Sequence, residues 1–151
     1  MKRPNETVTA EQSACAEVRA VYDELAARPV ERNCVRLKEC CHFKLTGRTP
    51  LLTKGEALVA ARALRQTGRT SLPLSNSGAC PFLQTGTGDC LIYESRPFGC
   101  RTHFCAAAGG PYARSEVIDL IRRLEQVDAV LGGNGVHKIE DAVRRALVEL
   151  G

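Results

Sequence analysis

The sequence has no tryptophan, one methionine and an aromatic content of only 5%. Its core therefore has to be largely aliphatic, and the abundant Ala, Leu, Arg and Glu favour helices. No apolar run approaches the roughly 18–20 residues that cross a bilayer. The opening MKRPNETVTAEQ is too polar for a signal peptide. The expectation is a soluble, cytoplasmic protein with no membrane association. There is no consecutive run of Lys or Arg, and the net charge of +4 is spread along the chain, so nucleic acid is not the expected partner. There are no paired carboxylates, no Ser/His/Asp set and no H-E-x-x-H, so no acid–base machinery can be named. The lone GxG at Gly86 and Gly88 follows no strand and opens no helix, which makes it a turn signal. The C-x2-C…C-x2-C pattern of a zinc ribbon is also missing.

What the chain does have is thiols, eight of them in 151 residues. In a reducing compartment such a count argues for metal or redox chemistry over structural disulfides. Cys15 lies on a helical apolar stripe with Ala14, Val18, Val21, Tyr22 and Leu25, and so reads as a core thiol. The other seven do not follow a helical period. Cys34, Cys40 and Cys41 form an upstream group, and Cys80, Cys90, Cys100 and Cys105 a downstream one.

The helical pattern surrounds these groups. A first helix starts from a capping box at Thr9 and Gln12 and ends at Pro29. A second begins at the box Thr53-Lys54-Gly55-Glu56, buries Ala57, Leu58, Ala61 and Leu64, and ends near Gly68. Ser115 caps a third helix, with Val117, Leu120, Ile121, Leu124, Val127 and Leu131 on one face. After Gly132-Gly133-Asn134-Gly135 a fourth runs from about Lys138, and the last two are expected to form an αα-hairpin. Leu91–Tyr93 is expected as a short strand. The predicted fold is a small, mainly α single domain over residues 1–151. It has about four helices around Cys-rich metal-binding loops and at most a short β element. The cysteine-cluster region, about 30–110, is flanked by an N-terminal helix and a C-terminal helical hairpin.

Thiolates favour zinc, iron–sulfur clusters and Cu(I). Cys80, Cys90 and Cys100 are evenly placed, with nine residues between neighbours, and four separate Cys100 from Cys105. Seven thiols exceed the set needed by one tetrahedral zinc or one cubane. Either some are not ligands or there are two sites, for example two zinc ions sharing a bridging thiolate. Adjacent residues such as Cys40 and Cys41 point in different directions. They share an ion only in a bent loop; otherwise one is a core thiol, a reactive thiol or a ligand to a second ion. Four thiolates around Zn²⁺ or a [4Fe–4S] cluster leave a net negative charge, and burying it needs cations or N–H donors. Arg96 and Arg101 flank Cys100 and are candidates for this. Tyr93, His42 and His103 are further polar candidates around the site, and either histidine would complete a mixed Cys/His shell. His137 falls in the turn between the last two helices and looks unrelated.

The residues Cys80-Pro81-Phe82-Leu83, Cys90-Leu91-Ile92-Tyr93-Glu94 and Arg96-Pro97-Phe98-Gly99-Cys100-Arg101, preceded by Cys34…Cys40-Cys41, resemble the CxxCxxCC, or YkgJ-like, cysteine-cluster family. Three motif elements match in order, over about residues 34–105. The resemblance implies a zinc- or iron-chelating domain and fixes no reaction. Some relatives are larger flagellin lysine methylases in which the cysteine domain is associated with an iron–sulfur cluster. This chain shows no Gly-rich methyl-donor motif, so that activity is not carried over. The family's namesake cluster implies a cysteine at position 37, where this chain has Leu37.

The reading is a small cytosolic metal-binding protein with a cysteine-ligated zinc or iron site, possible as [4Fe–4S], in a structural or metal-handling role or as a platform for a protein partner. The alternatives are an iron–sulfur-dependent redox or group-transfer enzyme and a zinc-stabilised nucleic-acid or protein-binding module. If Cys105 takes the place of the ligand missing at position 37, Cys105→Ser should lower the metal content per chain. Unchanged stoichiometry in elemental analysis rules that substitution out.

Overall fold

A computed structural model describes residues 4–28, 50–72, 80–84, 90–102 and 113–151, with side chains from residue 10 onward. The described elements are α1 (Pro4–Ala27), β1 (Leu51–Leu52), α2 (Lys54–Gln66), a 3₁₀ turn (Tyr93–Ser95), α3 (Phe98–Thr102), α4 (Arg114–Val130), β2 (His137–Lys138) and α5 (Ile139–Leu150). The chain is mainly helical, as its composition predicts.

α2 is the centre. Its sequence GEALVAARAL is apolar on nearly every side, and Gly55 to Ala61, Ala63 and Leu64 are all buried. A helix apolar all round has to be enclosed by others. One side of α2 packs with α5 and the cysteine-bearing stretch, through Leu64, Ile139, Val143, Leu147, Phe82 and Ile92. The other packs with α1 and α4 through Val59, Val18, Val21, Leu120 and Val127. Small residues let the neighbours come close. A Cβ at Gly55 would lie 2.7 Å from Val127 Cγ1 and 3.0 Å from Val18 Cγ2.

The start of α2 is fixed from two directions. Thr53 and Glu56 form the predicted capping box. Asp128, buried near the end of α4, accepts from the Lys54 N–H at 2.8 Å and the Gly135 N–H at 3.0 Å. Its carboxylate occupies the space a side chain on Gly133 would need, with Oδ1 2.3 Å from an ideal Cβ position. β1 and β2 pair antiparallel, Leu51 with Lys138 and Leu52 with His137, tying the entrances of α2 and α5 together. Surface pairs Arg28–Asp119 and Arg123–Glu17 join α1 to α4, and exposed pairs of this kind contribute little.

Several expectations change. α1 begins at Pro4, so Thr9 lies inside it; a proline in the first helical turn loses no intrahelical hydrogen bond there. α4 starts at Arg114 with Ala113 as its N-cap and no side-chain cap, which puts Ser115 within the first turn. α4 and α5 do not form a hairpin. Each packs on α2 and hardly touches the other, because α2 offers apolar surface on both sides. Leu91–Tyr93 is not a strand: it leads into the 3₁₀ turn, and the short β element is the β1–β2 pair. Gly68 does end α2's turn, with φ of 88°.

Gly55→Ala sets two effects against each other. Alanine gains less than about 1 kcal/mol of helix propensity in a first turn, while overpacking against two β-branched side chains costs about 1–3 kcal/mol. The variant is expected to be less stable by about 1 kcal/mol in urea unfolding. A stabilised variant would show that α1 and α4 can move apart freely.

Candidate metal centre

Residues 80–84 and 90–102 are built from short turns closed by their own backbone. The Leu83 N–H donates to the Cys80 carbonyl at 3.0 Å, and the Leu91 N–H to Phe82 at 2.8 Å. An antiparallel bridge pairs Leu83 with Cys90. The Ser95 N–H bonds the Ile92 carbonyl at 2.7 Å. Pro97 then fixes the backbone ahead of α3, and its carbonyl accepts from the Cys100 and Arg101 N–H groups at 3.0 and 3.2 Å.

The apolar members of the three motif elements anchor this stretch. Phe82 of C-P-F-L is fully buried and Ile92 of C-L-I-Y nearly so, both on the α5 side of α2. Pro97 is buried, and Phe98 packs into the α1–α4 side. The stretch thus grips α2's two packing regions. Cys80 is buried, while Cys90 and Cys100 are half-buried.

The arginines of R-P-x-x-C-R act on the same turn. Arg96 Nε donates to the Tyr93 carbonyl at 3.0 Å, and its guanidinium lies 4.0 Å from the centre of the Tyr93 ring. Arg101 donates from Nε to the Arg96 carbonyl and from a terminal nitrogen to the Glu94 carbonyl, both at 2.7 Å. Its guanidinium stacks 4.2 Å over the Tyr22 ring. The two side chains were expected as counter-charges to thiolates. Their hydrogen bonds here go to carbonyls of the turn.

Sequence reading treated Glu56 only as a helix cap, and the structure gives it a longer reach. Glu56 as a whole is 3% exposed. One oxygen accepts from the Phe98 N–H at 2.7 Å and from the Tyr22 hydroxyl at 3.0 Å. The other accepts from the Thr53 N–H at 3.2 Å and the Thr53 hydroxyl at 3.3 Å. Burial raises its pKa above the ordinary 4.5, with the hydrogen bonds opposing that shift. Burial, and then the Glu56 charge, push the Tyr22 phenol well above its usual value. The signal in the sequence was indirect: a capping Glu that opens an all-apolar helix has to be buried with it.

Cys15 sits in the α1–α4 core, and burial raises its pKa, as suits a packed thiol. His137 Nε2 lies 2.6 Å from Asn134 Oδ1, on the β1–β2 side. Cys34, Cys40, Cys41, Cys105, His42 and His103 lie outside the described residues, as do Gly86 and Gly88. Among the described residues no three of His, Cys, Asp and Glu come together as a metal-binding group. The donor chemistry nonetheless suits zinc or iron, since Cys80, Cys90 and Cys100 offer soft sulfur ligands on fixed turns.

Residues 32–117 match the family model of CxxCxxCC, described as a putative zinc- or iron-chelating domain. The match covers more than half of the chain, and the chain belongs to that family. No curated protein and no solved structure matches it.

Arg101→Lys keeps the charge and removes the planar fork that spans two carbonyls. A loss of about 1–2 kcal/mol is expected, with faster amide exchange at Cys100 and Arg101. Unaltered exchange at these two amides would show that the turn does not depend on the fork.

Proposed function

We propose that the protein is a small cytoplasmic metal-binding protein whose cysteine thiolates hold zinc or iron, in a structural or metal-handling role. The observation that carries this is the convergence of chain segments on α3. Pro50, where the segment carrying Cys34, Cys40 and Cys41 rejoins the scaffold, lies beside Gly99, its Cβ 3.8 Å from an ideal Cβ there. The same segment leaves α1 one turn or so after Tyr22, which lies under Arg101. Thr102, the last residue of α3, precedes Cys105 by three positions in the sequence. Described residues on both sides of the segment that carries Cys34, Cys40 and Cys41 thus lie close to α3. Because the described donors do not make a set of three, a full shell on this reading draws on Cys34, Cys40, Cys41 or Cys105 as well as on Cys80, Cys90 and Cys100.

A thiolate shell serves either a zinc ion or an iron–sulfur cluster such as [4Fe–4S]. Arg96 and Arg101 would offset part of its negative charge. A platform for a protein partner is a further role on this reading, and the absence of a basic run in the sequence argues against nucleic acid.

Anaerobic purification with elemental analysis tests the proposal. Brown protein containing iron and sulfide assigns a cluster, and colourless protein with about one or two zinc ions per chain assigns zinc. Protein with neither metal under reducing, anaerobic conditions refutes it. Stripping the metal should expose the segment carrying Cys34, Cys40 and Cys41 to protease first, with residues 80–84 and 90–102, held by their own hydrogen bonds, and the cores around α1, α4 and α5 outlasting it. Uniform resistance after chelation would contradict a metal-held loop region.

A further inference from the structure

We propose that Glu56 is a positioning residue for the metal site, holding the Cys100-bearing helix α3 in place through the Phe98 N–H before any metal arrives. The inference rests on the metal-binding reading above and concerns how that site is assembled.

α3 has five residues, Phe98–Thr102, and is too short to hold itself in place. Its first N–H groups have no partner within the helix. The N–H of Phe98 is satisfied from 42 positions away, by a carboxylate that belongs to α2. A buried, charge-assisted bond of this kind is among the stronger single hydrogen bonds. Cys100 lies two residues further on, with its own N–H closed onto Pro97. The Phe98 side chain fixes the same residue from the other direction, in the α1–α4 core.

The carboxylate is itself held in place. Thr53 presents two donors to its second oxygen, and Tyr22 one to its first. The Tyr22 ring also lies under the Arg101 guanidinium, which holds the Glu94 and Arg96 carbonyls. Glu56 therefore touches α3 directly and, through Tyr22, the arginine that staples the turn before it. Groups that orient a metal's ligands without touching the metal typically change its affinity by about 10–100-fold when removed.

Three variants separate this from a general contribution to stability. Glu56→Ala removes the acceptor for Phe98. Glu56→Gln keeps an amide oxygen for Phe98 and loses the acceptor for the Thr53 N–H. Thr53→Ala removes the hydroxyl part of the cap and leaves the Phe98 bond intact. Affinity for zinc is measured by competition with a chromophoric chelator, and the ligand field by the visible spectrum of the cobalt(II)-substituted protein. Urea unfolding gives each variant's stability. All three variants are expected to be less stable than wild type. Only Glu56→Ala should bind zinc about 10–100-fold more weakly with an altered cobalt spectrum, and Glu56→Gln should restore both. Equal affinity and spectra across wild type and variants, or equal weakening in Glu56→Ala and Thr53→Ala, would overturn the inference while leaving the metal site standing. A wild type that takes up none of zinc, cobalt and iron would overturn the functional reading, and this inference with it. If Glu56→Ala does not fold, Glu56→Gln still decides: wild-type affinity and spectrum support the inference, and weakening beyond that of Thr53→Ala overturns it.

Discussion

A single buried carboxylate joins the scaffold of this protein to the stretch that carries its cysteines. Taking a charge out of water costs several kcal/mol even in a relaxed interior, of the order described for buried ions. Glu56 offsets that cost with four hydrogen bonds from three residues: Thr53 at its own helix start, Tyr22 on α1 and Phe98 at the start of α3. No apolar side chain could do this, because the groups it satisfies are N–H and O–H donors that the core would otherwise bury unpaired. The carboxylate can sit there only because α2 is enclosed, and α2 is enclosed because its small apolar residues let α1, α4 and α5 close around it.

This arrangement gives physical content to the family motifs. Their cysteines are the obvious members, yet the residues between them fix the backbone. Phe82, Ile92, Pro97 and Phe98 are buried anchors, and Arg96 and Arg101 close the intervening turn onto its own carbonyls. Cys90 and Cys100 are then left half-buried at the edges of a rigid structure. On the proposed reading, a site built this way needs little reorganisation to receive a metal on that side. The departure at Leu37 falls in the other group of cysteines.

Much of the scaffold was legible in the sequence because its signals are local. The Thr53–Glu56 box, the stripes of α1, α4 and α5, the core position of Cys15 and the positive-φ Gly68 all follow from short-range spacing. The departures have long-range causes. The start of α1 at Pro4 was hidden by a polar sequence with a plausible cap further on. Ser115 resembles a cap, yet the helix starts just before it. Leu91–Tyr93 has the composition of a strand, but Arg96 and Arg101 draw the following backbone into a tight turn. The supposed hairpin of α4 and α5 is split by α2, which competes for both apolar faces. Of the site, the motif cysteines and both arginines could be named from sequence. The link from Glu56 to Phe98 spans 42 positions and leaves no periodic trace.

The central claim is that sulfur from these cysteines binds the metal. X-ray absorption spectroscopy at the zinc or iron edge of anaerobically purified protein tests it most directly. The account predicts a shell dominated by sulfur at about 2.3 Å. A shell made only of nitrogen and oxygen at about 2.0–2.2 Å would contradict it.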